Sequence, residues 1–286
     1  MKIINNINDL RQEISLQRQK GKTIGFVSTM GALHDGHTSL VTHAKKLSDF
    51  VVAGIFLNPS HFGPGEDFAS YPRTLEKDCT KLDYVHCNLV FAPSIEEIYP
   101  YGLEEQATVE IPKLGMLHCG ASRPHFFKAV ATIVTKLLNI VNADIALFGE
   151  KDFQQLVICR RLVEDLNIPT TVVASPTIRE QNGLAMSSRN QYLTGEQRKQ
   201  AAILYQCLCN AKNAVVNGNN KFNDLAQVAK SDLIKAGFDP DYFNFANANT
   251  LEPASSKDSD IIILAAAYLN GVRLIDNITI QLHKAN

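Results

Sequence analysis

No run of apolar residues in this 286-residue chain approaches the length of a membrane span. The longest, residues 50–57 and 261–269, fall far short of the ~20 that a spanning helix needs, so no membrane partner is expected. Net charge is also nearly absent. Twenty-eight Lys and Arg against 29 Asp and Glu leave −1, which gives no global reason to expect a nucleic acid. Any polyanion must be held by a local cluster. The start, MKIINNINDLRQEISLQRQ, has no apolar core behind its basic residue and no small-residue cleavage site, so no secretory signal is expected. The six cysteines include no C-x-x-C pair, and Cys207 and Cys209 would sit about 200° apart on a helix. Reduced thiols in a cytoplasmic protein are therefore expected, rather than a disulfide framework or a zinc site. No internal repeat is present. An apolar share of 45% with 20% charged residues excludes a disordered chain.

What is present is alternation. Helical spacing over residues 7–20, 37–47, 74–82, 127–141 and 153–166 is interleaved with strand-like runs at 22–28, 50–57, 89–91, 145–148 and 171–174. That order predicts parallel strands joined by helical crossovers, hence an α/β, doubly wound sheet. After about Asn190 the pattern changes. Thr194 with Gln197 predicts a capping box opening a helix through residues 201–216. A second helix near 224–236 and strands at 242–246, 261–269 and 272–276 follow, the last two joined by Asn270-Gly271, a strong hairpin signal. These elements predict a smaller α+β second domain, with residues 1–180 forming the first domain and 181–286 the second.

Three clusters suit phosphate. The run from Phe26 to His37 (FVSTMGALHDGH) leads from a strand through a glycine-containing turn to a helix start, with His34 and His37 three residues apart. Backbone N–H groups there bind phosphate, imidazoles donate to it, and Gly31 and Gly36 permit close approach or positive φ. Taken alone, the two histidines also read as polar loop residues; their place at the carboxyl end of a parallel strand argues for a site. The run FGEKDFQQ supplies Lys151 for charge, Asp152 to accept from ribose hydroxyls and Gln155 as donor and acceptor. Met186-Ser-Ser-Arg-Asn190 offers two hydroxyls and a guanidinium. Singly these also read as a helix start and a solvated linker; together they predict a nucleotide site.

The blocks TMGALHDGH, NPSHFGPGEDFASYPRTLEKD, AVATIVTKLLNIV, FGEKDFQQL and GLAMSSRNQYLT, with the hairpin LNGVRLIDN, together resemble the pantothenate synthetase (pantoate–β-alanine ligase) family. The resemblance covers nearly the whole chain. It implies a Rossmann-like ATP-binding domain, a small lid domain and a homodimer. It implies an ATP-dependent ligase that forms an acyl-adenylate from pantoate with loss of pyrophosphate, then joins β-alanine with loss of AMP. By motif it implies that Met30, Gly31, Ala32, Leu33, His34, Asp35, Gly36 and His37 line the ATP site, His37 in the proton-donor position. Gly149, Glu150, Lys151 and Asp152 would contact the nucleotide, and Ile178 the adenine. Met186, Ser187, Ser188 and Arg189 would close over the phosphates. His34, His37, Lys151, Ser187, Ser188 and Arg189 would carry catalysis. Asp78 would ligate Mg²⁺, directly or through water, and Thr29, Met30, His61 and Gln155 would face the acid.

The chain also departs from the family pattern, on the acid and amine side. Ser28 stands where the family has proline, and His61 where it has the glutamine that meets pantoate. Phe126 stands at a histidine position, and His125 and Ala129 at glycine positions. A side chain at either glycine position would cost about 1 kcal/mol or more if that position needs φ > 0. These departures fit either compensated drift or a paralogue that adenylates another acid or serves another amine. An inactive nucleotide-binding scaffold is a third alternative, opposed by intact His34, His37, Lys151 and Arg189.

Overall fold

The computed structural model describes residues 1–282; the last four residues of the expected second domain lie outside the described residues. Six parallel strands form the first sheet: β1 (Lys2–Ile4), β2 (Ile24–Thr29), β3 (Phe50–Ile55), β4 (Leu89–Phe91), β5 (Ile145–Gly149) and β6 (Thr171–Ser175). Their order is β1-β4-β3-β2-β5-β6. Side chains on successive residues point to opposite faces, and both faces are buried. Phe26, Val52, Leu89, Phe91, Ala146 and Phe148 join helices Ile7–Gln19, Phe126–Val141 and Phe153–Asp165 in one core. Their neighbours Val27, Val51, Ala53, Val90 and Leu147 join helix Asp35–Leu47 in another. Helices on both faces make the sheet doubly wound, as the alternation predicted. The chain reverses its direction of growth between β2 and β5, so the crevice at their carboxyl ends is where such sheets hold ligands.

A second sheet of three antiparallel strands follows: β7 (Asp239–Asn247), β8 (Asp260–Leu269) and β9 (Val272–Gln281). Strand β8 explains the long apolar run near the end of the sequence. Its Ile262 and Leu264 pack into the core of the first sheet, while Ile261, Ile263, Ala265 and Ala267 pack on helices Ile203–Val216 and Phe222–Lys235. A strand buried on both faces reads as continuous rather than alternating hydrophobicity. The hairpin forms at Asn270 and Gly271, whose φ values of 49° and 78° fit the two-residue turn.

Several boundaries differ from the sequence reading. The three-residue edge strand β1 is too short to leave a periodic signal. The helix expected over 201–216 is two helices, Gly195–Ala201 and Ile203–Val216, meeting at Ala202; the capping box of Thr194 and Gln197 forms at the first. The helix expected from residue 37 begins at Asp35, so His34 caps it and His37 lies inside its first turn. Among the described residues no helix is long and apolar enough to cross a membrane.

Candidate active site

The loop leaving β2 is shaped by its own backbone. Gly31 takes φ +82° and Ala32 +51°, turning consecutive N–H groups inward. Ala32 N and Leu33 N donate to the two carboxylate oxygens of Asp78 at 2.9 and 2.8 Å, and Thr74 Oγ1 adds a third bond at 3.2 Å. Asp78 is 1% exposed. A carboxylate with both oxygens engaged and its surface sealed does not fit the magnesium ligand that the sequence implied; it holds the turn. Among the described residues, no group of three or more His, Cys, Asp and Glu could hold a metal ion. Thr29 is also committed: its Oγ1 donates to Gly54 O at 2.9 Å and accepts from Gly31 N at 3.3 Å.

The two histidines cap the helix reciprocally. His34 Nδ1 accepts from Gly36 N at 3.1 Å, and His37 Nδ1 accepts from His34 N at 3.3 Å. An Nδ1 that accepts carries no proton, so a neutral ring must carry its proton on Nε2. Both rings therefore keep an Nε2–H donor outside the cap. The imidazole centroids are 4.0 Å apart. Burial first, then the positive charges of Lys151 and Lys81, push the His34 pKa down to about 4. Burial, His34, Lys151 and Lys81 hold that of His37 well below the usual imidazole range. Gly36 needs no positive φ, but a Cβ there would lie 2.8 Å from the His34 ring.

Lys151 approaches from the neighbouring strand. β5 ends at Gly149, and the 3₁₀ turn Glu150–Asp152 carries Lys151 to the same crevice. None of the ion pairs among the described residues involves it. The third cluster crosses from the other side. Met186 N donates to Ile178 O at 2.9 Å, Ser187 Oγ accepts from Arg189 N at 3.3 Å, and Ser188 Oγ donates to Ala32 O at 3.1 Å. Arg189 places Nε and Nη2 on the Asp67 carboxylate at 3.0 and 2.8 Å. Its planar fork thus already holds an anion of the valence geometry that suits phosphate.

A cavity of about 1090 Å³ lies between these segments. Of the residues singled out from sequence, Thr29, Met30, His37, His61, Lys151, Asp152, Gln155, Ser187 and Arg189 line it. The His34 ring lies tilted beside that of His37 and Ser188 braces Ala32, while Gly31, Leu33, Asp35, Gly36, Gly149, Glu150, Ile178 and Met186 do not line the cavity. Asp78 stands apart beneath the turn.

The acid side is built differently. His61 Nδ1 meets Met30 Sδ at 3.4 Å, and its buried Nε2 has no partner among the described residues. The ring packs against Phe126 at 5.5 Å, which in turn lies 3.9 Å beneath the Arg123 guanidinium. Burial first, then Arg123, push the His61 pKa down to about 3, so the ring is neutral. Arg123 also donates to His61 O at 2.9 Å and pairs with Glu66. Asn58 was missed from sequence, although it opens the quoted NPSHF block. It is 1% exposed, lines the cavity, accepts from Tyr99 OH at 2.9 Å, and has a buried Nδ2 without a partner among the described residues. Of the five departures, Ser28, His61 and Phe126 line the cavity; His125 and Ala129 do not. Neither His125 nor Ala129 has positive φ, so the strain considered for them does not arise.

Comparison with known proteins agrees with this geometry. A family model described as pantoate-beta-alanine ligase matches residues 2–279. The pantothenate synthetase of Hahella chejuensis is 51% identical over 279 residues, 98% of this chain and 99% of its own. A solved pantothenate synthetase of Thermus thermophilus superposes with TM-score 0.89 at 41% identity, covering 97% of this chain and 99% of that one. A solved pantoate-beta-alanine ligase of Francisella tularensis, complexed with beta-gamma ATP and beta-alanine, gives TM-score 0.77 at 32% identity over 97% of each chain. With a family match over residues 2–279 and the strand-end loops meeting at one cavity, the chain belongs to the pantoate–β-alanine ligase family of enzymes.

Proposed function

We propose that this enzyme joins pantoate to β-alanine through a pantoyl adenylate, with ATP as co-substrate. The observation that carries the reading is the capped His34–His37 pair, two neutral Nε2–H donors beside the Lys151 charge at the sheet's switch point. In the first step a pantoate carboxylate oxygen forms a bond to the α-phosphorus, and the bond from that phosphorus to the pyrophosphate oxygen breaks. Negative charge shifts onto the α-phosphate oxygens and the leaving group. His34 and His37 donate to those oxygens without giving up a proton, and Lys151 balances the charge; fixed donors of this kind need no reorganisation as the charge develops. In the second step the β-alanine amine adds to the acyl carbon, the bond from that carbon to the AMP phosphate oxygen breaks, and the proton lost by the amine passes to the departing phosphate or to water, so no covalent bond to the enzyme is required. Asp78 takes no part in either step, because both its oxygens are spent on the loop.

Residues 1–180 hold nucleotide and acid, and residues 181–286 close over the phosphates. Ser188 bonded to Ala32 and Arg189 bonded to Asp67 are the contacts that favour this division. On nucleotide binding Arg189 exchanges the Asp67 carboxylate for phosphate oxygens, since its fork suits both. Asp152 accepts from the ribose, the backbone near Ile178 meets the adenine, and Met30, Gln155 and His61 face the acid. The Francisella tularensis relative, complexed with beta-gamma ATP and beta-alanine, supports ATP and β-alanine as ligands here. The functional unit in this reading is a homodimer acting in the cytoplasm on small molecules. The test is release of AMP and pyrophosphate with pantoate and β-alanine, the product identified by mass. Pantoate-dependent exchange of pyrophosphate into ATP without the amine is expected; turnover lacking such exchange would contradict the adenylate.

A further inference from the structure

The last described strand reaches back into the site. Asn277 on β9 is 6% exposed and pairs in register with Leu264, whose side chain belongs to the core of the first sheet. Asn277 therefore faces the first domain. Its Nδ2 donates to two successive carbonyls, Glu150 O and Lys151 O, each at 2.8 Å. Both amide protons are thus spent on the one turn that carries Lys151.

Asn277 is itself held rigidly. Its N–H donates to Asp276 Oδ1 at 2.8 Å, and its carbonyl accepts from Arg179 Nη2 at 3.4 Å. Asp276, 4% exposed, takes a two-pronged bond from Arg179 at 2.6 and 2.9 Å. The Arg179 guanidinium lies 3.5 Å over the Tyr205 ring. Arg179 belongs to the segment joining the two sheets, and Tyr205 to helix Ile203–Val216. A connected set of paired groups thus runs from the second domain to the backbone of Lys151. Among the described residues, these are the side-chain bonds that reach the Glu150 and Lys151 carbonyls, and Asp152, at the cap position of the following helix, makes no side-chain cap.

We infer that Asn277 is a positioning residue, its amide clamping the Glu150 and Lys151 carbonyls so that the Lys151 ammonium is held against the His34–His37 pair. The inference rests on the role proposed above for Lys151. Without the clamp two carbonyls lose their partner, and the turn shifts to find water or another donor. A displacement of ~1 Å in a reacting group costs about 100-fold in rate.

The test is a double-mutant cycle read by single-turnover adenylation of pantoate, with circular dichroism and thermal melts confirming the fold. Asn277→Leu is similar in size and donates nothing. Adenylation is expected to fall by about 10- to 100-fold, through the rate constant more than through the pantoate KM. In a Lys151→Ala background the same change should cost nothing further, because it acts through a group already removed. A merely structural role would lower the rate by the same factor in both backgrounds, and that result overturns the inference, as does a parental rate in Asn277→Leu. Asn277→Ser, polar but too short to reach the carbonyls, enters the same cycle if the leucine variant does not fold. Parental adenylation by Lys151→Ala alone would instead remove the role of Lys151, and the inference with it.

Discussion

The two ends of the cavity treat their polar atoms in opposite ways. On the nucleotide side the groups that shape the loop are paired: Asp78 with two amides and a hydroxyl, Thr29 with two backbone groups, and each histidine Nδ1 with a backbone N–H of the cap, Gly36 N for His34 and His34 N for His37. What remains for a ligand there is a set of pre-aimed donors. On the acid side two buried atoms, Asn58 Nδ2 and His61 Nε2, have no partner among the described residues. A buried polar group left unpaired costs about 1–3 kcal/mol, so a ligand that satisfies these atoms recovers stabilisation that the folded chain forgoes. One end is finished without its ligand and the other is completed by it.

The largest effect is expected from removing charge at the finished end. Lys151→Ala should raise the adenylation barrier by about 3–4 kcal/mol, the usual loss for one fixed electrostatic contact, with a melting temperature close to the parent's. Single-turnover rates decide this; a near-parental rate would take Lys151 out of the chemistry.

Next comes the loop itself. Asp78→Ala leaves two inward N–H groups without acceptors and should destabilise the fold by about 3 kcal/mol, as hydrogen bonds to a charged group are among the stronger ones. Urea titration measures the loss. A variant with parental stability and a raised magnesium requirement would return Asp78 to the role of a metal ligand.

A smaller effect is expected at the unfinished end. The Met30 sulfur carries no proton, so His61 Nδ1 is best placed as the donor toward it, which leaves Nε2 as an acceptor only. A glutamine would offer both functions. His61→Gln with Phe126→His should therefore lower the pantoate KM by an amount equivalent to about 1–3 kcal/mol for each recovered contact, while the ATP KM stays unchanged. Tight pantoate use by the parent, not improved by the pair of changes, would mark the departures as compensated drift.

Stability against pH is expected to change as well. Unfolded histidines protonate near 6.5, whereas His34 and His61 in the fold do so only at about 4 and about 3. Between those values the unfolded chain binds more protons. Stability is therefore complete above pH 6.5 and declines as pH falls toward 4, by at most about 1.4 kcal/mol per pH unit for each group. Thermal melts from pH 7.5 to 5 should show the decline, and His61→Gln should make it shallower. A flat profile would mean that these rings are not held neutral.

How much of this was legible in the sequence follows the same division. Strand-end motifs are local, so HDGH and GEKD could be placed on the loops after β2 and β5 from alternation alone. The hairpin at Asn270-Gly271 was equally local. What sequence could not supply was partnership at a distance. Nothing near Asp78 announces that the amides of Ala32 and Leu33 turn into it, and a carboxylate in a family motif reads as a ligand until those bonds are seen. Arg189 reads as free until Asp67 is found on its fork. Asn58 carries no sequence signal of its own, because its burial and its bond to Tyr99, 41 residues away, arise only in the fold. The tautomers of His34 and His37 depend on which nitrogen closes the cap, a matter of backbone geometry rather than residue type.

Those tautomers are the point on which the rest depends, and nitrogen-detected NMR reads them directly. With histidine labelled in ¹⁵N and the His34 and His37 resonances assigned by single substitution, the unliganded enzyme at pH 6 should give two neutral rings, each protonated on Nε2. An imidazolium at either position, or a proton on Nδ1, would contradict the prebuilt donor pair.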